Sequence, residues 1–256
     1  MNETIKIDVQ GPVATVTLNR PDALNAWDDE MKAAMRHTVA LMNDDETVRV
    51  VVLKGEGRGF SAGADIRSGK TGPISFTLDT EYKPFLNGIA QSDKIWIAQV
   101  HGAAAGIGAA VAMNCDLVIM ADDAYVYMAF AAIGLVPDGG NTQLLLQHMG
   151  YHRALETMLE GRKMPAQECL RYGIANKVVP LGDLDAETRA WAERLCATAP
   201  LAMAGCKRLL RQVGAMSYGD AITAEGREQT PLLKSNDFRE GVTAFFEKRA
   251  PDWTGS

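Results

Sequence analysis

Residues 102–121 read GAAAGIGAAVAMNCDLVIMA and follow the apolar run KIWIAQV at 94–100. The run before the glycines has the length of a strand, and the small residues predict a turn that enters a helix near Gly106. That helix should end near Met113, and LVIMA then predicts another strand. Because strand, helix and strand follow one another here, the segment predicts an α/β fold.

The sequence upstream of this segment repeats the alternation. Residues 5–10 and 13–18, IKIDVQ and VATVTL, have period-two patterning on either side of a glycine–proline pair, which predicts a hairpin. Apolar residues at helical spacing predict a helix over 28–43, and VRVVVLKG at 48–55 predicts a buried strand. A further helix is expected over 75–91.

The sequence downstream of about Gln143 changes character and is expected to be nearly all helix. The predicted helices are 142–149, 152–160, 165–172, 185–198, 201–213, 218–234 and 237–249. Pro165 and Pro200 fit this pattern, since proline is tolerated at or just before the first helical position. The expected division is a core over 1–197 and a helical C-terminal region over 198–256.

The composition is that of a folded, soluble globular protein. The chain has 256 residues, of which 47% are hydrophobic and 23% charged. With Lys+Arg 26 against Asp+Glu 32, the formal net charge is −6. The protein as a whole therefore repels polyanions, which argues against nucleic acid as a partner, and an anionic ligand would need local basic groups.

The cysteines and the N-terminus indicate the cytoplasm. The four cysteines form no C-x-x-C pair, and a chain of this length does not need disulfides, so reduced thiols are expected. The first residues, MNETIKIDVQ, lack the basic and apolar regions of a secretory signal. No membrane span is expected, because polar residues and glycines interrupt the most apolar stretch, 97–121.

A serine-hydrolase motif can be matched at 59–63, where GFSAG satisfies G-x-S-x-G with Ser61 as the nucleophile. His101, His148 or His152 could then supply the base. In a nucleophile elbow, however, the serine follows its strand directly, whereas GEGR intervenes here. The motif is therefore a poor match to its structural context.

Two other generic motifs are weaker. Gly106-Ile107-Gly108 begins like a dinucleotide fingerprint, but Val111 replaces the last small residue and no acidic residue closes the unit. His148 and His152 would share a helix face, yet Gly150 lies between them and no third ligand is near, so no metal site is expected.

Two glycine-rich turns carry the most information, because each follows a buried strand. They are 61–65 (SAGAD) and 102–108 (GAAAGIG). If the second turn opens a helix, its free N–H groups point at whatever lies over it, as in an oxyanion hole. Close packing of strand and helix would select the same small residues, so both interpretations stay open at this level.

At these residues the sequence resembles the crotonase superfamily, the enoyl-CoA hydratase/isomerase family, over nearly its whole length. The segments that carry the resemblance are LNRPDALNAW at 18–27, GEGRGFSAGADI at 55–66, VHGAAAGIGAAVAMNCDLVIMA at 100–121, IGLVPDGGNTQLLLQHMG at 133–150 and FREGVTAFFEKRAP at 238–251. The resemblance implies a spiral core of repeated ββα turns and a helical C-terminal region that mediates a homotrimer, often a dimer of trimers.

The resemblance also implies an acyl-CoA site within the core region, with no cofactor beyond the coenzyme A of the substrate. The N–H groups of Ala64 and Ile107 would form the oxyanion hole. The implied substrate-binding positions are Ala23, Ala62, Asp65, Ile66, Arg67, Phe130, Phe245 and Lys248. Arg67 stands where a basic residue meets the phosphates, and Phe245 and Lys248 would approach the nucleotide of a neighbouring subunit.

Departures from the family pattern point to the reaction. Hydratases of the family use two glutamates, and those positions are Ala110 and Phe130 here, which can neither accept nor donate a proton. Asp138 matches the position where Δ3,Δ2-enoyl-CoA isomerases carry Glu and the ring-opening isomerases of phenylacetate breakdown carry Asp. The sequence therefore favours an isomerase in which Asp138 is the single acid/base.

Two alternatives stay open. A hydratase or related lyase could use Tyr127, Glu81, Asp79 or a water held by Asp138. A binding subunit could have kept the acyl-CoA pocket and lost the chemistry. The segment 69–91, with Tyr82 and Phe85, is expected to be a lid that shapes the acyl pocket.

Overall fold

Two β-sheets organise the part of the chain that the computed structural model describes, residues 4–68 and 72–256. The strands are β1 (Ile5–Gln10), β2 (Val13–Leu18), β3 (Val50–Gly55), β4 (Ile95–Val100), β5 (Ala103–Ala105), β6 (Leu117–Ala121), β7 (Tyr125–Tyr127), β8 (Lys163–Pro165) and β9 (Lys177–Val179). The larger sheet has the order β1-β2-β3-β4-β6-β9 and the smaller one β5-β7-β8. In the larger sheet β1 and β2 form the expected antiparallel hairpin, and the other neighbours are parallel.

The helices surround these sheets and then continue alone to the C-terminus. They are α1 (Asp29–Asp44), α2 (Ile74–Thr77), α3 (Lys83–Ala90), α4 (Ile107–Asn114), α5 (Asn141–Glu160), α6 (Ala166–Arg171), α7 (Leu184–Cys196), α8 (Pro200–Val213), α9 (Tyr218–Leu232) and α10 (Asn236–Glu247). Within α5, Gly150 has non-helical dihedral angles, so the two helices predicted on either side of it are present with a break between them.

The single helix predicted over 75–91 differs from the structure. A π-helical turn, Leu78–Tyr82, separates α2 from α3. Pro84 explains the interruption, because its ring has no N–H to donate and would clash with the carbonyl one turn earlier in a regular α-helix. Residues 69–71 at the start of the predicted lid lie outside the described residues.

The smaller sheet was not predicted, since three-residue strands are too short to show a period. Its first strand, β5, occupies alanines that the sequence assigned to a turn. The strand forms because Ala104 makes a parallel bridge to Ser61 while Ala103–Ala105 pair with Tyr125–Tyr127. The two glycine-rich segments are thereby joined by backbone hydrogen bonds.

The core lies between the larger sheet and the helices that pack on it. All six residues of β4 are buried, as expected for a central parallel strand covered on both faces. In α4 every residue from Ile107 to Met113 is buried, and three of them are alanines, so this helix packs close to its neighbours. Both glycine-rich turns follow the carboxyl ends of adjacent parallel strands, β3 and β4, where α/β sheets bind ligands.

A buried lysine is among the contacts that attach the C-terminal helices to this core. The Lys207 ammonium of α8 donates to the carbonyls of Ile89 and Lys94, each at 2.8 Å, and to Asp116 at 2.7 Å. The division at residue 197 remains a prediction, although α7 ends at Cys196 and α8 begins at Pro200. Among the described helices, none has the length and apolar character needed to cross a bilayer.

Candidate active site

Backbone hydrogen bonds hold the two glycine-rich turns side by side. The Ser61 N–H donates to the Ala103 carbonyl at 2.9 Å, and the Ala105 N–H donates to the Ser61 carbonyl at 2.9 Å. A Cβ placed on Gly63 would lie 2.9 Å from the Ala105 oxygen and 3.7 Å from the Gly106 Cα. The turns therefore touch, and at position 63 only glycine fits without displacing the second turn.

Two amides at this contact are left without a protein acceptor among the described residues: the N–H groups of Ala64 and Ile107. The bridge between Trp27 and Ala64 uses the Trp27 and Asp65 N–H groups, so it does not occupy that of Ala64. Ile107 is the first residue of α4, where N–H groups have no intrahelical partner. Both predicted oxyanion donors therefore lack a protein acceptor among the described residues and lie on turns that touch, and their joint binding of one oxygen atom stays a prediction.

Asp138 lies in a turn that packs against α4, the helix that begins at Ile107. The residue after it, Gly139, has φ of +64°, and a Cβ there would overlap Ile107 Cδ1 and lie 3.1 Å from the Ala110 Cβ. The Asn141 N–H donates to the Asp138 carbonyl at 3.1 Å and fixes the turn. The carboxyl is half-buried, and this burial raises the pKa of Asp138 above its ordinary value.

The positions where the sequence lacks glutamates are apolar in the structure. Ala110 is fully buried in α4. Phe130 is also buried, with its ring Cζ 3.6 Å from the point where a Cβ on Gly106 would stand. Neither of the two positions next to the second turn therefore carries an ionisable group. Asp138 is the carboxylate that lies in the neighbouring turn.

An aromatic cluster from the predicted lid lies near Asp138. The rings of Trp27 and Phe85 stack at 5.2 Å, and Tyr82 meets both edge-on. Burial first, and then the negative charge of Asp138, raise the pKa of Tyr82, so its hydroxyl stays protonated. A cavity of about 810 Å³ has Tyr82 and Gly139 among its lining residues and extends to Arg208 and Leu210 of α8.

A fully buried lysine anchors the π-helical turn of this lid. The Lys32 ammonium forms ion pairs with Asp29 at 2.6 Å and with Glu81, and it lies 5.5 Å from the centre of the Tyr82 ring. Because Lys32 belongs to α1 and Glu81 to the lid, the pair ties the lid to the core. Glu81, considered above as a catalytic group, is therefore engaged in an ion pair.

The other two side chains considered for a hydratase also have identifiable settings. Asp79 pairs with Lys83 at 3.3 Å on the exposed side of the lid. Tyr127 is half-buried in β7, and its carbonyl accepts the Gly106 N–H at 3.0 Å. Asp79 is therefore engaged in an ion pair, whereas the Tyr127 contact is made by the backbone and not by the hydroxyl.

The segments assigned to coenzyme A lie together along one rim. Ala23 belongs to the short helical turn Pro21–Ala23, and the next residue, Leu24, accepts the Ala62 N–H at 2.8 Å. Ile66 and Arg67 follow on the same loop and are both exposed. The structure thus brings these four residues into one region.

Asp65 differs from its neighbours because it is engaged by Arg20. The guanidinium donates to Asp65 at 3.1 Å and to Asp28 at 2.9 Å, and its hydrogen bond holds the pKa of Asp65 below the usual range. Asp65 therefore organises the loop through its side chain, which sequence reasoning did not foresee.

Phe245 and Lys248 lie at the C-terminal end of the molecule. Phe245 is 78% exposed on α10 and contacts Phe246, and Lys248 caps that helix with φ of 54°. Their approach to a neighbouring subunit's nucleotide stays a prediction.

Ser61 has the hydrogen bonding of a structural hydroxyl. Its side chain is fully buried, donates to the Asn25 carbonyl at 2.9 Å and accepts the Trp27 indole N–H at 3.0 Å. The nearest partner of the His101 ring is the Gly57 carbonyl, at 2.8 Å. No serine–histidine pair is formed in the described residues, which argues against the nucleophile elbow.

We expect Ser61→Ala to lower the free energy of unfolding by about 1–3 kcal/mol, because it leaves the buried Trp27 N–H without an acceptor. Urea unfolding followed by tryptophan fluorescence measures this loss. Thiol titration should detect no release of free CoA by either protein. Thioester cleavage by the wild type that disappears in the variant would restore the hydrolase hypothesis.

The histidine pair also lacks the setting of a metal site. His148 and His152 lie on opposite sides of the break at Gly150, and burial lowers the pKa of His148. Among residues 4–68 and 72–256, no three His, Cys, Asp or Glu side chains are grouped to hold a metal ion.

Several residues that build the site were missed by sequence reasoning. Arg20 and Asn25 lie in LNRPDALNAW, the segment that carried part of the resemblance, but no role was assigned to them. Leu24 and Asn25 both have positive φ, at 51° and 55°. The Asn25 amide stabilises this unusual turn by donating to the Glu56 and Gly59 carbonyls, each at 2.9 Å. Asn141 was missed as well.

The fold and this pair of turns define a class: an α/β protein in which two backbone N–H groups without a protein acceptor among the described residues follow the carboxyl ends of adjacent parallel strands. The model of the enoyl-CoA hydratase/isomerase family matches residues 8–256. The chain belongs to that family and is an acyl-CoA enzyme of crotonase fold.

Individual relatives agree on the family and differ in the reaction. The chain is 38% identical to a "Probable enoyl-CoA hydratase" of Rhodobacter capsulatus, covering 98% of each chain. It is 36% identical to the "1,2-epoxyphenylacetyl-CoA isomerase" of Escherichia coli, covering 100% of each. A crystal structure titled as enoyl-CoA hydratase subunit I from Geobacillus kaustophilus matches with a TM-score of 0.93 and 34% identity, covering 99% of this chain and 98% of that one. The predicted crotonase-like fold with a helical C-terminal region is thus confirmed.

Proposed function

We propose that this enzyme is an enoyl-CoA isomerase that shifts a double bond through a thioester enolate. The observation that carries the proposal is the setting of Asp138: a half-buried carboxyl with a raised pKa, beside a turn whose remaining candidate positions are Ala110 and Phe130. A single base suits an isomerisation, whereas adding water needs one group for the water and another for the carbon.

The mechanism needs only groups that the site contains. The Asp138 carboxylate takes a proton from C2 of a 3-enoyl-CoA, and the electron pair passes to the thioester oxygen. The Ala64 and Ile107 N–H groups bind that oxygen and stabilise the negative charge. The protonated Asp138 then returns the proton at C4, which gives the 2-enoyl-CoA and restores the carboxylate.

The coenzyme A part and the acyl part of the substrate bind on different sides of the proposed catalytic groups. We assign coenzyme A to the rim of Ala23, Ala62, Ile66 and Arg67, where Ala62, Ile66 and the cationic Arg67 are exposed to solvent. The acyl group extends towards Tyr82, along the cavity of about 810 Å³. The net charge of −6 makes local cations such as Arg67 necessary for an anionic ligand.

Assembly through the C-terminal helices is part of the same proposal. Phe245 and Phe246 are 78% and 77% exposed on α10, next to an apolar groove that includes Leu233 and Trp253. Large apolar surfaces of this kind are typical of protein–protein contacts. A homotrimer would cover them and bring Phe245 and Lys248 to a neighbour's nucleotide.

Three thioesters separate the candidate functions. With 3-enoyl-CoA, the isomerase should produce 2-enoyl-CoA, seen by the absorbance of the conjugated thioester and by NMR. With 2-enoyl-CoA, a hydratase would form 3-hydroxyacyl-CoA, and this product without isomerisation would overturn the proposal. Saturable binding of all three, including a saturated acyl-CoA, with no chemical change would identify a binding subunit instead.

The pH dependence should follow the ionisation of Asp138. The base must be deprotonated in the free enzyme, so kcat/KM should rise with pH and level off above the pKa of Asp138. Since burial raises that pKa, the midpoint should lie above the ordinary aspartate value of 3.8. Initial rates from about pH 4 to about pH 8 at constant ionic strength measure it. A rate independent of pH over this range would contradict the assignment.

A further inference from the structure

Asn141, the first residue of α5, links the two halves of the site. Its side chain is fully buried, and its Nδ2 donates to the Gly106 carbonyl at 2.9 Å. Its backbone N–H donates to the Asp138 carbonyl at 3.1 Å. One residue therefore contacts both the turn that carries the proposed base and the turn that carries a proposed oxyanion donor.

The acceptor of this hydrogen bond belongs to a particular peptide group. The Gly106 carbonyl and the Ile107 N–H are the two ends of one planar peptide. The Gly106 oxygen accepts three donors: Ala109 N at 3.1 Å, Ala110 N at 3.2 Å and Asn141 Nδ2 at 2.9 Å. Hydrogen bonds at the oxygen draw electrons from the nitrogen, so the N–H at the other end becomes a stronger donor.

The same hydrogen bond also sets the direction of the Ile107 N–H. Gly106 has φ of 52° and ψ of −123°, a conformation that glycine adopts but that no side chain at this position restrains. Because the peptide is planar, fixing its oxygen fixes the direction of its N–H. Asn141 supplies that restraint from outside the turn.

Stability alone does not account for an asparagine here. The Asn141 Oδ1 is buried and has no hydrogen-bond donor among the described residues. A buried acceptor without a donor destabilises a fold, and an apolar side chain of similar shape would avoid this cost. The Gly106 oxygen would still be satisfied by Ala109 and Ala110 if the asparagine were absent.

We infer that Asn141 is a positioning residue that orients and polarises the Gly106–Ile107 peptide and holds it against the turn of Asp138. The inference rests on the proposed function in one respect, that the Ile107 N–H binds the thioester oxygen. Asn141 acts through that peptide and does not itself contact the reacting atoms.

The test uses butyryl-CoA labelled with ¹³C at the thioester carbonyl, which cannot isomerise. Infrared difference spectra should show the carbonyl stretch of the bound thioester shifted to lower frequency in the wild type. In Asn141→Leu the shift should be clearly smaller. Turnover of a 3-enoyl-CoA should fall about tenfold in kcat with little change in KM, and the melting temperature should stay equal or rise. Asn141→Ala provides the same measurement if the leucine does not fit.

Asn43→Ala is the matched control, because the Asn43 Nδ2 makes a similar bond to the Gly88 carbonyl at 3.0 Å, away from both turns. It should lower the melting temperature and leave the carbonyl stretch unchanged. An unchanged stretch in both Asn141 variants would overturn the inference, as would a wild-type spectrum without any shift. A wild type that polarises the carbonyl but isomerises no enoyl-CoA would refute the proposed function while the spectra still decide the role of Asn141.

Discussion

Asp138→Asn should lower kcat for the isomerisation of a 3-enoyl-CoA by about 10³-fold, the typical contribution of a general base that acts on both proton transfers. The amide keeps the size of the carboxyl but cannot accept the C2 proton. Binding of a saturated acyl-CoA, measured by calorimetry, should be nearly unchanged, since the proposed coenzyme A rim and the backbone donors are intact.

The same substitution should leave stability equal or higher at neutral pH. Burial raises the pKa of Asp138, so between the unfolded and folded pKa values the native state binds more protons than the unfolded state. Stability from this group is therefore fully present below the unfolded pKa and is lost as the pH rises through the folded pKa. A neutral asparagine removes the cost of burying an ionised carboxylate. Thermal unfolding at about pH 7 can detect the resulting gain in stability.

The control for this experiment is Asp44→Asn, which removes an exposed carboxyl at the end of α1. It should change neither turnover nor ligand affinity. If Asp138→Asn kept near wild-type turnover, Asp138 would not be the base. If both activity and binding were lost in a folded variant, the residue would be needed for binding rather than for proton transfer.

Gly108→Ala should separate the two glycine-rich turns and reduce activity about 10²-fold, because displacing catalytic groups by about 1 Å can cost that much in rate. An alanine Cβ would lie 2.7 Å from both Cβ and Oγ of Ser61 and 2.8 Å from its carbonyl oxygen. Such overpacking costs about 1–3 kcal/mol. A backbone atom is among the overlapping groups, so the neighbour cannot simply rotate away. We therefore expect the stability lost by overpacking to exceed the ~1 kcal/mol that alanine gains over glycine within a helix.

Gly226→Ala is the matched control, a helical glycine in α9 with nothing within 4 Å of the added methyl group. It should stabilise the protein by about 0.5–1 kcal/mol and leave turnover unchanged. Urea unfolding measures the change in stability of both variants, and the rate of enoyl-CoA isomerisation measures their activity. A Gly108→Ala enzyme with normal turnover would show that the distance between the turns does not matter for the reaction.

The sequence predicted the parts of the fold that local patterns encode. The hairpin of β1 and β2 and the helices α1 and α4 were expected within a residue or two of their observed bounds, because period-two and helical spacing are properties of neighbouring residues. The smaller sheet was missed, since its three-residue strands form only through pairing with distant segments. The lid helix was predicted without its π-helical turn at Leu78–Tyr82.

The sequence by itself determined the family and the two glycine-rich segments. It also determined which side chains stand at the positions of the family's glutamates. All three depend only on residue type and order. Only the tertiary structure decided that the turns touch, that Ser61 supports Trp27, and that Asn141 bonds to Gly106 across 35 residues. It also decided the raised pKa of Asp138. These properties depend on which distant groups surround a residue and exclude water from it, and no local spacing encodes that.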